Sequence, residues 1–351
     1  MFRSPRQSLA AVFLLLFSSS AAAVAGRLVI DYSHDTSAFF TVGSEARATL
    51  ERAAADISDV LVDHQLGGLV SNKITGDSNG TTAEVTWSLS YFNPVTGASV
   101  SLPNPHLSPG FAEDEIRVFV GWRNLGGITL GQGGPAVNAG LGINGSGVPE
   151  EFANAVTAMG VASDLVMTRG SGPIISSFSG TVGGYPYEFD YGSFMGSLWF
   201  DSDTNNDSVT DNFSLLDSSW NFGMSLPGPG ENDFYSVALH ELLHSIGLGS
   251  SVSWNALSGD PGVSGGHLVS GLMGYRLSDG LAQEALMSPS LATGSRKSLT
   301  TIDLAYLSDI GFVVIPEPGV WGLVMAGVMV LGGRRHRLAG FWMLSDAVDR
   351  V

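Results

Sequence analysis

The sequence predicts an α+β domain, and three observations carry the prediction. Ile116, Val118 and Val120 alternate through Glu115 to Gly121, the period of a half-buried strand. Apolar residues recur at helical spacing over Glu45 to Val62 and again over Phe234 to Ile246. Glycine supplies 46 of 351 residues, so turns and loops should separate the regular elements. Taken in order, Arg27 to Asp31 reads as an opening strand. The first helix places Leu50, Ala54, Ile57 and Leu61 on one face. Gly126 to Gly131 reads as a glycine-rich strand or loop, and it lacks a phosphate-binding pattern. Pro149 to Met159 reads as a helix with proline in its first turn. Near the end, Thr300 caps a last helix, with Asp303 three residues on as its partner. Leu304, Leu307 and Ile310 pack that helix, and Gly311-Phe312 closes it. No linker or repeat interrupts residues 26–314, so one catalytic-type domain is expected there.

Composition narrows the class. The chain is 44% hydrophobic and only 14% charged, which excludes a disordered polymer. Its net charge of −17 argues against nucleic-acid partners and anionic membranes. The same charge suits an exported protein that must stay soluble. Residues 1–25 have the three parts of a secretion signal: Arg3 and Arg6, the apolar Leu9 to Phe17, and the small residues Ala23-Val24-Ala25. Cysteine is absent, so any metal must be held by His, Asp, Glu, carbonyl groups or water. At the other end, Pro316-Glu317-Pro318 precedes an apolar run from Gly319 to Gly333 and then Arg334, Arg335, His336 and Arg337. That run is shorter than the roughly 20 residues that span a bilayer. Residues 315–337 resemble the bacterial PEP-CTERM sorting signal. The resemblance implies transient membrane association, processing by an exosortase, and delivery to the cell surface or extracellular matrix. Residues 338–351 extend past that pattern and form an unassigned tail.

The chemistry concentrates in one helix. His240-Glu241-Leu242-Leu243-His244 puts two imidazoles four residues apart, so both leave the same face. That face can offer two nitrogens to one zinc ion, and Glu241 lies beside the first ligand, placed to act on water rather than on the metal. Asn232 or Asp233 can cap the helix start, and Gly247 can end it in a left-handed conformation. A catalytic zinc site needs a third protein ligand and an open position.

His240, Glu241, His244 and Gly247 resemble the metzincin signature. In that family a third histidine follows three positions after the glycine, and here that position is Ser250. Leishmanolysin-like members place an insertion before the third histidine. On that pattern His267, in Ser264-Gly265-Gly266-His267, becomes the third ligand and Ser250 to Gly266 becomes an inserted surface loop. Asp260 and Asp279 are the other candidates. Ala285-Leu286-Met287-Ser288-Pro289 resembles the metzincin Met-turn, with Met287 as the soft floor beneath the imidazoles; Met273 competes for that role. The resemblance implies a metzincin-like zincin domain with a mixed sheet, an active-site helix and a C-terminal helix.

The implied activity is that of an extracytoplasmic zinc metalloendopeptidase, with Zn2+ as cofactor and a protein or peptide as substrate. Glu241 is the general base, and the strand near Ile116 to Gly121 is expected to pair with extended substrate. The rival reading is a surface or matrix protein that keeps the fold without the activity. Elsewhere, Asp201, Asp203, Asn205 and Asp207 alternate and can ligate Ca2+. Position 206 is Asn where an EF-hand loop has Gly, and position 212 is Asn where it has Glu, so a solvated loop is the other reading. His34, His64 and His106 are expected to be structural or surface residues.

Overall fold

A computed structural model describes residues 27–35, 39–62, 73–75, 82–103, 115–146, 175–182, 185–192 and 195–315, with residues 150, 153, 154 and 157 between them. The expected export signal, His64, His106 and the tail beyond Ile315 lie outside the described residues. So does most of the helix expected over Pro149 to Met159; its described residues Glu150, Ala153, Asn154 and Thr157 are helical. The chain divides into compact units 1–314 and 315–351. Among the described residues no helix is long and apolar enough to cross a membrane.

The first unit mixes helices and sheets. Its elements run β1 (Arg27–Asp31), α1 (Glu45–Ser58), β2 (Lys73–Thr75), β3 (Thr82–Phe92), β4 (Ser99–Pro103), β5 (Glu115–Arg123), β6 (Gly131–Pro135), β7 (Val137–Ser146), β8 (Ile175–Val182), β9 (Tyr185–Gly192) and β10 (Met195–Asp201). There follow α2 (Phe213–Ser219), β11 (Trp220–Asn221), β12 (Asn232–Asp233), α3 (Phe234–Ser245), α4 (Val252–Ala256), β13 (Val263–Ser264), β14 (His267–Leu268), β15 (Met273–Tyr275), β16 (Ala282–Glu284) and α5 (Thr301–Asp309). The central sheet has the order β1-β5-β10-β6. Its first three strands are parallel and β6 is antiparallel to β10, so the sheet is mixed, as expected.

The expected apolar faces become the core. Leu50, Ile57, Ile116, Val118 and Val120 are all fully buried. Strand β5 is covered on both sides by neighbouring strands, because its bulky apolar residues need both faces and both edges shielded. This corrects the substrate-pairing role expected for Ile116 to Gly121: β5 has no free edge. The edge beside α3 belongs to β6. The first helix also ends earlier than expected, at Ser58; Leu61 leaves the helix and bridges to Val314, where it remains buried.

Helix α3 packs against β6, β10 and α1, so nearly every face of it is covered. Phe234, Ala238, Leu239, Leu242 and Leu243 are fully buried. Truncating one of these leucines to alanine typically costs about 2–5 kcal/mol. Strand β6 approaches α3 closely because it is Gly-Gln-Gly-Gly-Pro. A Cβ at Gly133 would collide with the Glu241 carbonyl oxygen, and one at Gly131 would lie 2.7 Å from Glu241 Cγ. The glycine-rich stretch is thus a sheet edge cut back to admit the helix.

Candidate metal centre

Helix α3 starts where Asp233 accepts a hydrogen bond from the Ser236 N–H. Asp233 is fully buried and also paired with Arg296 at 2.6 Å, which ties the helix start to the chain after the Met-turn. The helix ends at Gly247, whose φ of +110° suits glycine. Between these ends His240 and His244 project from one face. The chain then travels 22 residues and returns His267 to the same point. Ring centroids lie 4.8 Å apart for His240 and His244, 5.0 Å for His244 and His267, and 5.2 Å for His240 and His267.

The nitrogens show what the trio is built for. His240 Nδ1 donates to the Leu286 carbonyl at 2.9 Å, and His244 Nδ1 donates to the Leu248 carbonyl at 2.7 Å. A carbonyl only accepts, so both protons sit on Nδ1 and each Nε2 presents a lone pair. His244 Nε2 lies 3.1 Å from His240 Nε2 and 3.3 Å from His267 Nε2. An imidazolium could donate across those gaps, but burial pushes His240 well below its usual pKa and His244 down to about 4. Across the His240–His244 gap, neutral rings with facing lone pairs repel unless a cation sits between them. Three tetrahedral ligands at about 2.0–2.1 Å from a metal lie about 3.3 Å apart. The donor set therefore fits zinc in type, number and spacing. Among the described residues it is the one group of three or more His, Cys, Asp or Glu whose ligand atoms converge, all within 4.8 Å.

The other candidates for third ligand are engaged elsewhere. Asp260 accepts from the Tyr306 hydroxyl and the Gly262 N–H. Asp279 is paired with Arg276 at 2.6 Å. The route to His267 is also more ordered than the expected surface loop. Ser251 caps α4, Trp254 is buried, and β13 and β14 form a hairpin that ends on the ligand. Apolar residues in and just after the insertion drive this, since Trp254 and Leu268 join the main core. Gly249 makes the return possible. Its φ is +91°, and a Cβ there would meet the Gly266 carbonyl oxygen and lie 2.6 Å from His244 Nδ1. Gly249→Ala is expected to force the hairpin away from His244 and weaken zinc binding by at least about 10-fold, the low end for lost ligand support. Competition with a chelating dye measures this directly.

Met287 is fully buried, whereas Met273 is 54% exposed, so Met287 alone can serve as a floor. A feature not anticipated from the sequence holds that turn. The buried Asp303 carboxylate accepts from the Leu286 and Met287 N–H groups, both at 3.0 Å, while closing the expected capping box with Thr300. The last helix thereby fixes the segment whose Leu286 carbonyl orients His240.

Glu241 is buried, and its Oε2 has no hydrogen-bond partner. Burial pushes its carboxyl up to about 8. An unpartnered carboxyl in such a place costs stability, so it calls for a functional explanation. It lines a cavity of about 990 Å³ together with His240, His244, His267 and strand β6.

The acidic loop is different. Asp201 and Asp203 are buried and spend their oxygens on the chain itself. Asp201 accepts from the Leu125 and Asp203 N–H groups; Asp203 accepts from Asp207 N–H, Ser208 N–H and Asn124 Nδ2. Asn205 and Asp207 are exposed. Asp201, Asp203 and Asp207 form no convergent carboxylate trio, and Asp201 and Asp203 act as turn-building acceptors. His34 is structural, as expected: it bonds Tyr91 and Asn93 and packs on Phe119.

Comparison of the chain with protein-family models, curated proteins and solved structures returns no match.

Proposed function

We propose that this chain is a zinc-dependent endopeptidase of metzincin type, acting outside the cytoplasm. The observation that carries the reading is the meeting of three imidazoles, those of His240 and His244 held with bare nitrogens inward, beside a buried and unpartnered glutamate. Structural zinc sites are closed by four protein ligands and need no base. Here three ligands converge, and the carboxylate next to them has no structural partner.

His240, His244 and His267 would hold the ion. Zinc, when bound, supplies a Lewis acid that polarises a scissile carbonyl and acidifies water. Glu241 takes a proton from the attacking water and passes it to the departing amine. Its carboxyl, raised by burial, is drawn back toward the ionised form when a dication is seated among the imidazoles. The Leu286 and Leu248 carbonyls keep both ring protons on Nδ1, so the metal-facing nitrogens stay free. Strand β6 is the sheet edge that borders the cavity, and an extended peptide can pair with it. The export and sorting segments complete the proposal: the domain works at a bacterial cell surface or in its matrix, after exosortase processing.

The test is metal removal. The chain is expected to carry one zinc per molecule and to cleave casein or gelatin. Chelation should abolish cleavage and zinc should restore it. A chain that binds one zinc and cleaves neither substrate would favour the rival, an inactive surface protein.

A further inference from the structure

We propose that Trp254 is the positioning residue that holds the third imidazole, His267, at the metal centre. The inference rests on the zinc reading above. The short spacing to a third histidine fails at Ser250, so something else must fix His267 after a long excursion.

His267 opens strand β14, paired with Ser264 across a two-residue turn, Gly265-Gly266. Those glycines have no side chains to pack, and Gly265 sits at φ +59°. The turn is therefore placed by what bonds to its backbone. Trp254 Nε1 donates to the Gly265 carbonyl at 2.8 Å. The indole is itself immobilised, being 1% exposed and against the Tyr306 ring at 5.8 Å. Tyr306 in turn donates to Asp260 at 3.1 Å, which fastens the excursion to α5. On the far side of His267, the Leu268 N–H donates to the Met287 carbonyl at 2.9 Å. That bond anchors one end of the ligand's strand, and Trp254 anchors the turn at the other. Two anchors fix the direction in which the imidazole points; one leaves the hairpin free to tilt. The indole N–H thus fixes the backbone turn that carries His267, whereas the Leu286 and Leu248 carbonyls act on their rings directly.

The experiment uses the full chain with Trp254→Phe, which keeps a ring against Tyr306 and deletes the N–H. Zinc affinity should fall about 10- to 100-fold, the range for lost outer-shell support. The d–d absorption of the Co2+-substituted protein should weaken as tetrahedral coordination loosens. In a His267→Ala background the same change should cost no further affinity, because the two residues act as one unit. Replacement of Trp254 by β-(3-benzothienyl)alanine keeps the bicyclic shape and removes only the donor, so it must reproduce the loss even if the phenylalanine variant misfolds. Unchanged affinity and spectrum in that analogue, or full additivity with His267→Ala, would overturn the role of Trp254 alone. A wild-type chain that takes up no zinc would overturn the metal reading and this inference with it.

Discussion

Glu241→Gln is expected to retain zinc and lose peptide hydrolysis by about 10²–10⁴-fold, the usual contribution of a positioned proton acceptor. The substitution preserves shape, which matters because Glu241 packs against Gly131 with no room to spare. It removes a group whose burial pushes its pKa up to about 8 and whose Oε2 has no partner. An amide is neutral at every pH, so the variant should also be at least as stable as the parent. Above the ordinary carboxyl range the parent must keep this group protonated to fold, and above about 8 it must bury the charge; the variant does neither. The measurement is casein cleavage beside zinc content and a thermal melt. Full cleavage by a zinc-loaded variant would remove Glu241 from the chemistry. Loss of zinc alongside activity would make it a ligand instead of a base.

His267→Ala is expected to cut zinc affinity by more than about 100-fold, since losing mere outer-shell support already costs 10- to 100-fold. Two imidazoles would remain, oriented by Leu286 and Leu248, and a two-ligand site holds zinc weakly. The reason for confidence in His267 over the alternatives is occupancy: Asp260 and Asp279 are committed to Tyr306 and Arg276, and neither joins the convergent trio. Chelator competition on the purified chain decides the matter. Parental affinity in the variant would place the third ligand elsewhere.

The helix that carries His240 and His244 was readable in the sequence because its signals are local. The i,i+4 histidines, the Asp233 cap and the Gly247 stop all lie within one short stretch, where helix geometry alone fixes which side chains share a face. The capping box of Thr300 and Asp303 was legible for the same reason. The second task of Asp303 was not: its bonds to Leu286 and Met287 cross 17 and 16 residues of chain. Strand β5 shows the limit most plainly. Its alternation announced a strand, but alternation is blind to neighbours, and the expected substrate edge proved to be interior. The actual edge, β6, starts at Gly131, where the expected glycine-rich stretch Gly126 to Gly131 ends. Residues that matter for their missing side chains leave no periodic pattern.

By itself, the sequence nominated His240, His244 and the adjacent Glu241, because their shared placement follows from spacing along one helix; Met287 came from the resemblance. It could nominate His267 but not place it. Only the tertiary structure decided that the excursion folds back through Gly249 and Trp254, and that three Nε2 atoms meet, those of His240 and His244 with their ring protons turned outward onto backbone carbonyls. Backbone carbonyls and glycine clearances did that work, and every residue has a backbone. What they contribute depends on which segments the fold brings together, and no local pattern records it.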